Sequence, residues 1–248
     1  MVAIHPPTCC TTLGDFTGNS HRGRVLAVAA LLVITMGAEQ GDQQPGNRNA
    51  LRVIALFNGK DLEGWRQTKF GGEGEVVVED GAIVMDIGNS MTGITTTRGN
   101  LPTMDYELSY EARRLAGSDF FAAATVPVGK SHVTFVNGGW GSSVTGISSL
   151  DDLDASENET ATSQVYRDQT WYRFRVRVTN RKIQCLIDDR LVVDVSYEDR
   201  RLGTRVEVEL NKPLGFAAWE TRGAIRSIRM RRLAAEEIAA INKSGDPP

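Results

Sequence analysis

The chain has 248 residues, of which 41% are hydrophobic and 24% charged, and it contains 25 glycines but only 8 prolines. This composition excludes a collagen-like, low-complexity or disordered protein. The formal net charge of −3 disfavours nucleic acid as a partner, because nucleic-acid-binding proteins carry a basic surface. Three cysteines and three histidines are too few for a zinc-finger or zinc-ribbon framework.

The N-terminal segment has the pattern of a secretory signal peptide. Arg22 and Arg24 precede an apolar run at residues 25–34, and small residues follow up to Ala38. We predict that residues 1–38 are a signal peptide and that the protein is extracytoplasmic, either periplasmic or secreted. A later translation start and an uncleaved N-terminal anchor stay open as alternatives. After cleavage, no apolar run is long enough for a membrane span.

Alternation of apolar and polar residues dominates the chain after a polar linker at residues 39–50. Two such runs flank Asp80 and Gly81, which is a strong signal for a hairpin. Residues 173–178 alternate arginine with Phe or Val, which is typical of a half-buried strand with a basic outer face. Many short strands separated by turn signals predict an all-β sandwich or jelly roll.

The predicted β domain occupies residues 51–233, and a helical tail follows at 234–248. An alanine-rich stretch at residues 233–242 predicts the short C-terminal helix of that tail. Further strands are predicted at 105–113, 120–128, 183–187, 191–195, 205–210, 214–219 and 225–231.

A distinctive opening segment, Leu56–Trp65, has the sequence LFNGKDLEGW. It resembles the start of the 3-keto-disaccharide hydrolase family, whose members are also described as 3-keto-glucoside lyases and 2-hydroxy-glucal hydratases. Residues 171–194 resemble the family's late hairpin, and residues 213–233 resemble its last two strands. The resemblance therefore covers about residues 53–233.

This resemblance implies a concanavalin A-like jelly roll in a secreted bacterial protein, in agreement with the alternation described above. It also implies that the partner is an oligosaccharide or a 3-keto-glycoside. Residues 137–159 depart from the usual family pattern, so the resemblance predicts the fold more directly than the activity. We expect no cofactor, and a divalent metal stays open as an alternative.

The implied reaction needs a base, because a keto group at C3 of a sugar acidifies the hydrogen on C2. We predict His132, Asp119 and Glu220 as the catalytic residues. His132 is the only histidine left after the predicted cleavage, and its plainer interpretation is a hydrogen-bonded residue at a strand end. Asp119 precedes an apolar run that would favour its neutral form, and its plainer interpretation is a turn residue that caps a loop.

Several residues are predicted to bind substrate. Trp140 lies in a glycine-rich turn where it could stack on a sugar face, and Trp219 stands beside Glu220 at the end of a late strand. Core packing is the alternative for both tryptophans. The complete set of predicted substrate-binding residues is Trp140, Asn137, Glu157, Asn158, Glu159, Trp219 and Arg98.

The acidic segment 151–159 alternates oxygen-bearing side chains in the manner of a calcium loop. It lacks the glycine and the terminal glutamate of an EF-hand, and no helix flanks it. We therefore predict no metal site and interpret the segment as a solvated loop that could border a sugar cleft.

Two functions from different classes fit these patterns. The first is a secreted carbohydrate-active enzyme, a 3-keto-glycoside lyase or hydrolase that acts by C2 proton abstraction and elimination. The second is a non-catalytic carbohydrate-binding jelly-roll module that holds glycans with Trp140 and the acidic segment. A structural or adhesion domain without a small ligand is a third alternative.

Overall fold

The computed structural model describes residues 53–245. The predicted signal peptide at 1–38 and the predicted linker at 39–50 lie outside the described residues. Within the described range the chain forms two antiparallel sheets that pack face to face, followed by one short C-terminal helix, Ala235–Lys243. The all-β sandwich predicted from the alternation of side chains is confirmed.

The larger sheet contains eight strands. Across the sheet the order is β13 (Arg190–Ser196), β12 (Lys182–Ile187), β11 (Tyr172–Val178), β6 (Tyr106–Ala116), β15 (Arg222–Arg232), β4 (Ala82–Met85) and β3 (Val76–Glu79), and the short β1 (Ile54–Ala55) also pairs with β15.

The smaller sheet contains seven strands. Their order is β10 (Thr162–Ser163), β9 (Val144–Ser148), β8 (Ser131–Gly138), β7 (Ala123–Val128), β14 (Gly215–Trp219), β5 (Met91–Thr96) and β2 (Trp65–Gln67). Neighbours in this order come from distant parts of the sequence, because β14 lies between β7 and β5.

Two of the hairpins form as predicted from their turn residues. Asp80 and Gly81 connect β3 to β4 with φ angles of 49° and 75°. Asp188 and Asp189 connect β12 to β13 with φ angles of 47° and 69°. Positive φ at both central positions matches the right-handed twist of the flanking strands, which explains why short Asp- and Gly-containing turns occur here.

The hydrophobic core lies between the two sheets. Phe174 on β11 is fully buried, and its ring stacks on Tyr110 with the centroids 5.1 Å apart. The rings of Phe121 and Phe135 contact the Phe174 ring edge-on, with centroid distances of 6.1 and 6.2 Å. Because side chains alternate along a strand, the arginines between the inward residues of β11 point to the outer face of the larger sheet.

The opening segment Leu56–Trp65 folds into a turn held by its own side chains. The Oδ1 atom of Asn58 accepts hydrogen bonds from the backbone N–H groups of Lys60 and Asp61. The side chain of Asn58 donates to the carboxylate of Asp61, and this hydrogen bond is the main reason why the pKa of Asp61 is lowered. The indole of Trp65 is buried and donates to the carbonyl of Leu56 at 2.8 Å.

The strand predicted at 205–210 is wrong. Residues Val206–Asn211 form a 3-10 helix instead. Its valines and leucine alternate with glutamates, yet Val206 is 80% exposed and Leu210 52% exposed, whereas Val208 is buried. The side chain of Val208 thus anchors the segment against the smaller sheet. An alternating sequence forms a β-strand only where a neighbouring strand is available for pairing, and this segment has none.

The C-terminal helix is anchored to the last strand of the larger sheet. Glu237 accepts a hydrogen bond from the backbone N–H of Ala234 and pairs with Arg231 at 2.8 Å. Along residues 53–245, none of the helices has the length and apolar character needed to cross a membrane.

Candidate functional site

A pocket of about 240 Å³ opens on the outer face of the smaller sheet, and we call it the sheet pocket. The strands supply residues that alternate with core residues, so they necessarily point away from the larger sheet. The lining residues are Met91, Asp119, Phe120, Ala123, Thr134, Val136, Trp140, Ser148, Arg205, Glu207, Val208 and Trp219.

The floor of the sheet pocket is apolar and aromatic. Met91, Val208 and Ala217 form a small buried cluster outside the main core. Phe120 and Trp219 pack against this cluster, with their ring centroids 6.4 Å apart. Such a surface suits the apolar C–H face of a sugar ring or an apolar group attached to a sugar.

The mouth of the pocket is formed by a left-handed turn that carries Trp140. Trp140 has φ 50° and ψ 52°, and 45% of its surface is exposed. Gly138 and Gly141 have φ angles of 79° and 78°, a region that residues with a Cβ seldom adopt. The turn lies within the single helical turn Gly139–Ser142.

Asp119 ties this turn to the loop before β7. One carboxylate oxygen accepts the backbone N–H of Phe120 at 2.7 Å, and the other accepts the backbone N–H of Gly141 at 3.0 Å. The backbone of Asp119 itself donates to the hydroxyl of Thr221 at 3.0 Å. The carboxylate is therefore fixed at the edge of the pocket beside Trp140.

An ion pair from the 3-10 segment forms a second polar wall. Arg205 pairs with Glu207 at 2.8 Å and also with Asp154. The hydrogen bond between Arg205 and Glu207 raises the pKa of the guanidinium and lowers the pKa of the carboxyl. Both groups therefore stay charged near neutral pH, and the pocket presents a fixed cation as well as carboxylates.

Three of the predicted site residues line the sheet pocket, namely Asp119, Trp140 and Trp219. The structure therefore brings together one predicted catalytic carboxylate and two predicted stacking tryptophans. They come from three separate loops or strand ends, as expected when a rigid sheet positions functional groups.

His132 lies outside this lining, on β8 two residues before the lining residue Thr134. Burial lowers its pKa, and the nearby Lys212 lowers it further. Its Nε2 atom is buried and has no hydrogen-bond partner within residues 53–245. The imidazole is therefore neutral near pH 7 and sits at the far end of the same sheet face.

Two asparagines that were predicted to bind substrate instead form hydrogen bonds with backbone groups of the protein. The side chain of Asn137 is fully buried and bonds both the N–H and the carbonyl of Ala122, each at 3.2 Å. Asn158 donates to the carbonyl of Ile147 at 2.8 Å and accepts the N–H of Thr160 at 2.9 Å. Both side chains hold loops in place through contacts that leave little capacity for a ligand.

The acidic segment places its glutamates away from the pocket lining. Glu159 forms an ion pair with Arg200, and this contact lowers the pKa of its carboxyl. Glu157 is exposed and accepts the N–H of Asp154 at 3.4 Å. Asp154 in turn pairs with Arg205, so the segment supports the pocket wall from behind.

The remaining two predicted residues are exposed and also lie outside the lining. Glu220 sits in the turn between β14 and β15 with φ 43°, and its backbone N–H donates to the carbonyl of Ser90. Arg98 follows β5 and lies against Gly64.

Sequence reasoning missed several lining residues, including Met91, Phe120, Arg205 and Val208. Val208 belongs to the 3-10 helix and Arg205 directly precedes it, and both lie in the stretch predicted as a strand. Phe120 adjoins Asp119, and its place after a turn aspartate was the available signal. In the part of the chain that the structure describes, no three His, Cys, Asp or Glu side chains are grouped so that they could hold a metal ion.

Comparison with known proteins supplies the family. The family model for the 3-keto-alpha-glucoside-1,2-lyase-like domain matches residues 52–231. No curated protein matches the chain significantly.

Solved structures with a similar fold include both binding modules and enzymes. A carbohydrate-binding module from Bacillus subtilis is 11% identical, with 68% of this chain and 95% of that chain covered and a TM-score of 0.44. Domain 4 of an extracellular arabinanase from Geobacillus stearothermophilus, in complex with arabinotriose, is 14% identical, with 77% and 97% covered and a TM-score of 0.48. A transglycosylase in complex with NAG is 12% identical, with 75% and 84% covered and a TM-score of 0.48.

The family match spans nearly the whole sandwich, from before the first strand to the end of β15, and it agrees with the opening motif and the late hairpin. The chain belongs to the family of 3-keto-alpha-glucoside-1,2-lyase-like domains.

Proposed function

We propose that the protein is an extracytoplasmic 3-keto-glycoside lyase that binds its substrate in the sheet pocket. The observation that carries the proposal is the fixed carboxylate of Asp119 at the edge of an aromatic pocket, beside Trp140 and Trp219. A carboxylate next to a stacking surface can act on a hydrogen bound to a ring carbon. Membership of the lyase-like family supports the choice of a 3-keto-glycoside as the substrate.

The proposed reaction begins with transfer of the C2 proton to Asp119. The electron pair left on C2 is delocalised onto the C3 carbonyl oxygen as an enolate, and the guanidinium of Arg205, the cation among the lining residues, is proposed to stabilise that charge. The enolate then expels the oxygen on C1 together with the C1–O electron pair. Asp119 returns its proton to the leaving oxygen, so one carboxyl group serves both steps and the products are an enone and a free alcohol.

Glu207 lines the same pocket but suits the acid role poorly. Its hydrogen bond with Arg205 lowers the pKa of its carboxyl, so it holds no proton near neutral pH. This leaves Asp119 as the proton carrier in the proposal, because its carboxylate forms no ion pair with a cation among residues 53–245, whereas Glu207 is paired with Arg205.

The test replaces Asp119 by Asn and follows the release of aglycone and enone from a 3-keto-glucoside. We expect kcat to fall at least ~100-fold because the amide cannot accept the C2 proton. Asp152→Asn removes an exposed carboxylate that forms an ion pair with the exposed Arg201, and it serves as the matched control. An unchanged kcat in Asp119→Asn contradicts the proposed base.

His132→Asn tests the competing histidine base from the sequence prediction. Because the imidazole lies outside the pocket lining, we expect less than ~10-fold change in kcat, whereas removal of a general base costs ~100-fold or more. A larger loss in His132→Asn than in Asp119→Asn transfers the proposed role to the histidine.

A non-catalytic carbohydrate-binding module is the second candidate. It is favoured by the fact that both oxygens of Asp119 already accept backbone hydrogen bonds, which is the arrangement of a residue that caps a loop. In this case the wild-type protein binds sugars without converting a 3-keto-glucoside, and Trp140→Ala weakens binding while Asp119→Asn acts only through the turn.

The proposed extracytoplasmic location rests on the basic residues, the apolar run and the small residues in the first 38 positions. Expression of the full chain in a bacterial host, followed by N-terminal sequencing of the exported protein, tests it. An intact N-terminus on protein recovered only from the cytoplasm contradicts the proposal.

A further inference from the structure

A second cavity, of about 530 Å³, lies on the opposite side of the sandwich, and we call it the outer groove. Its lining includes Ala82, Val84 and Ala224, which alternate along β4 and β15 with Ile83 and Ile225 of the main core. Alternation along a strand places the groove on the outer face of the larger sheet. It shares no lining residue with the sheet pocket.

Trp171 brings two positive charges together in this groove. The guanidinium carbon of Arg226 lies 4.1 Å from the centre of the Trp171 ring, and that of Arg113 lies 4.6 Å from it. Cation–π attraction to the indole holds each arginine in place. The two like charges repel each other, and an anion bound between or beside them would relieve that repulsion.

The two arginines differ in how their charges are balanced. Arg226 forms an ion pair with Glu111 at 2.7 Å, and a third arginine of the groove, Arg222, lies 3.3 Å from Glu79. The side chain of Arg113 forms neither an ion pair nor a hydrogen bond with any residue from 53 to 245. Its Nε atom is buried and unpartnered, which is costly for a charged donor.

We propose that the outer groove is a binding site for a hydroxyl-rich organic monoanion, and that the anionic group pairs with Arg113. A hexuronate, a sugar that carries one carboxylate, represents this chemical class. The guanidinium fork matches a carboxylate in geometry as well as in charge.

The size and polarity of the groove favour a hydroxyl-rich organic monoanion over an inorganic anion as the ligand. A cavity of about 530 Å³ is far larger than an inorganic anion requires. Its rim carries Glu79, Asp80 and Gln169, whose oxygen atoms can accept hydrogen bonds from hydroxyl groups. The two rim carboxylates also disfavour a ligand with a second negative charge. The single unpaired guanidinium of the groove, that of Arg113, therefore matches a ligand that carries one anionic group on a larger polar molecule.

The experiment titrates the full chain with galacturonate, galactose and sodium sulfate at low ionic strength. NMR follows the Nε–H of Arg113 and the indole N–H of Trp171, so the readout is local and needs no variant. We expect both signals to shift with galacturonate, with an affinity at least ~10-fold higher than for galactose, because a charge-assisted hydrogen bond is lost with the neutral sugar.

Arg113→Gln should abolish the difference between galacturonate and galactose. Arg229→Gln removes an exposed arginine from the same face of β15 outside the groove, and it should keep the difference. Thermal unfolding of each variant checks that the fold is intact, and the shifts in the wild-type protein stand even where Arg113→Gln fails to fold.

Three outcomes overturn the inference. Galacturonate that leaves both signals unmoved contradicts any anion site in the groove. Equal affinities for galacturonate and galactose contradict the role of the charge. Sulfate that binds as tightly as galacturonate shows a bare anion site and contradicts the organic ligand.

Discussion

The two outer faces of the sandwich have opposite chemistry. On the smaller sheet, tryptophan, phenylalanine and methionine side chains line a pocket with few charges, and the nearest ion pair stands at its wall. On the larger sheet, arginines of β11 and β15 meet glutamates of β6 in cross-strand pairs. Both sheets bury one face against the same core, so the outer faces are free to differ.

The cross-strand ion pairs on the outer face of the larger sheet, which we call the ion-pair row, are centred on the buried carboxylate of Glu107. This carboxylate is 7% exposed and lies within 4 Å of Arg175, Arg177 and Arg231. Opposite charges on neighbouring strands stabilise a sheet, and here one carboxylate compensates three cations. The difference between the faces teaches that ion pairs between strands occupy the outer face of the larger sheet around Glu107, where charge dominates, whereas the smaller sheet keeps an apolar surface that can receive a ligand.

The largest effect is expected from the core that both faces share. Phe174→Ala should lower the free energy of unfolding by about 3–5 kcal/mol, because it removes a fully buried ring that packs against at least four other aromatic rings. Urea unfolding measures the loss. Phe120→Ala is the matched control on the pocket face, and it should cost less than half as much because Phe120 is only partly buried. Equal losses would contradict the distinction between core and face.

A smaller effect is expected when the ion-pair row is broken. Glu107→Gln should cost about 2 kcal/mol, because three partly buried guanidinium groups lose their shared counter-charge. Asp152→Asn removes one partner of an exposed ion pair with Arg201 and should cost less than about 0.5 kcal/mol. Urea unfolding of both variants compares them. A loss in Glu107→Gln no larger than in the control would show that the row contributes little.

On the pocket face, Gly141→Ala should strain the turn that carries Trp140. We expect a loss of about 1 kcal/mol, because Gly141 has φ 78° while an added Cβ meets no atom within 4 Å, so the backbone angle alone is responsible. Gly99→Ala is the matched control, since Gly99 also has open space but no positive φ. The free energy of unfolding, measured with urea, reports the effect. Similar losses in both variants would exclude the backbone angle as the cause.

The smallest effect concerns the end of the larger sheet, where Glu237 anchors the C-terminal helix. The hydrogen bond with Arg231 lowers the pKa of Glu237 to about 2. A lowered pKa means that the anchor is complete above the ordinary glutamate value and is lost as the pH falls towards about 2. The Ile238 amide donates to the carbonyl of Ala234, and its protection factor, the hydrogen-exchange rate of a free amide divided by its own rate at the same pH, should fall over that interval. In Glu237→Gln, the protection factor should be lower already at neutral pH and lack this dependence.

The sequence predicts the layers better than the site. Alternation along β11 separates Phe174 from Arg173 and Arg175 without any knowledge of the neighbouring strands, so the fold class follows from local pattern. The site depends on strand order, because β14 must lie between β5 and β7 before Met91 and Trp219 can share a pocket. No periodicity in the sequence reports that order.

The sequence also does not show which polar side chains already use their hydrogen-bonding groups within the protein. Asn137 and Asn158 have the chemistry of sugar-binding residues, yet backbone groups take up their hydrogen bonds. Residues 206–211 alternate like a strand although no strand lies beside them. Trp171 contacts two arginines on the outer face, which come from strands that are distant in the sequence.

The turn at Leu56–Trp65 is closed by its own side chains. Its asparagine and aspartate bond one another and the local backbone, and its tryptophan closes the loop onto Leu56. The turn therefore fastens the start of the domain, and none of its residues lines the sheet pocket. A substitution in this turn is therefore expected to act on the stability of the domain, whereas a substitution in the loops around Asp119 and Trp140 acts on the sheet pocket.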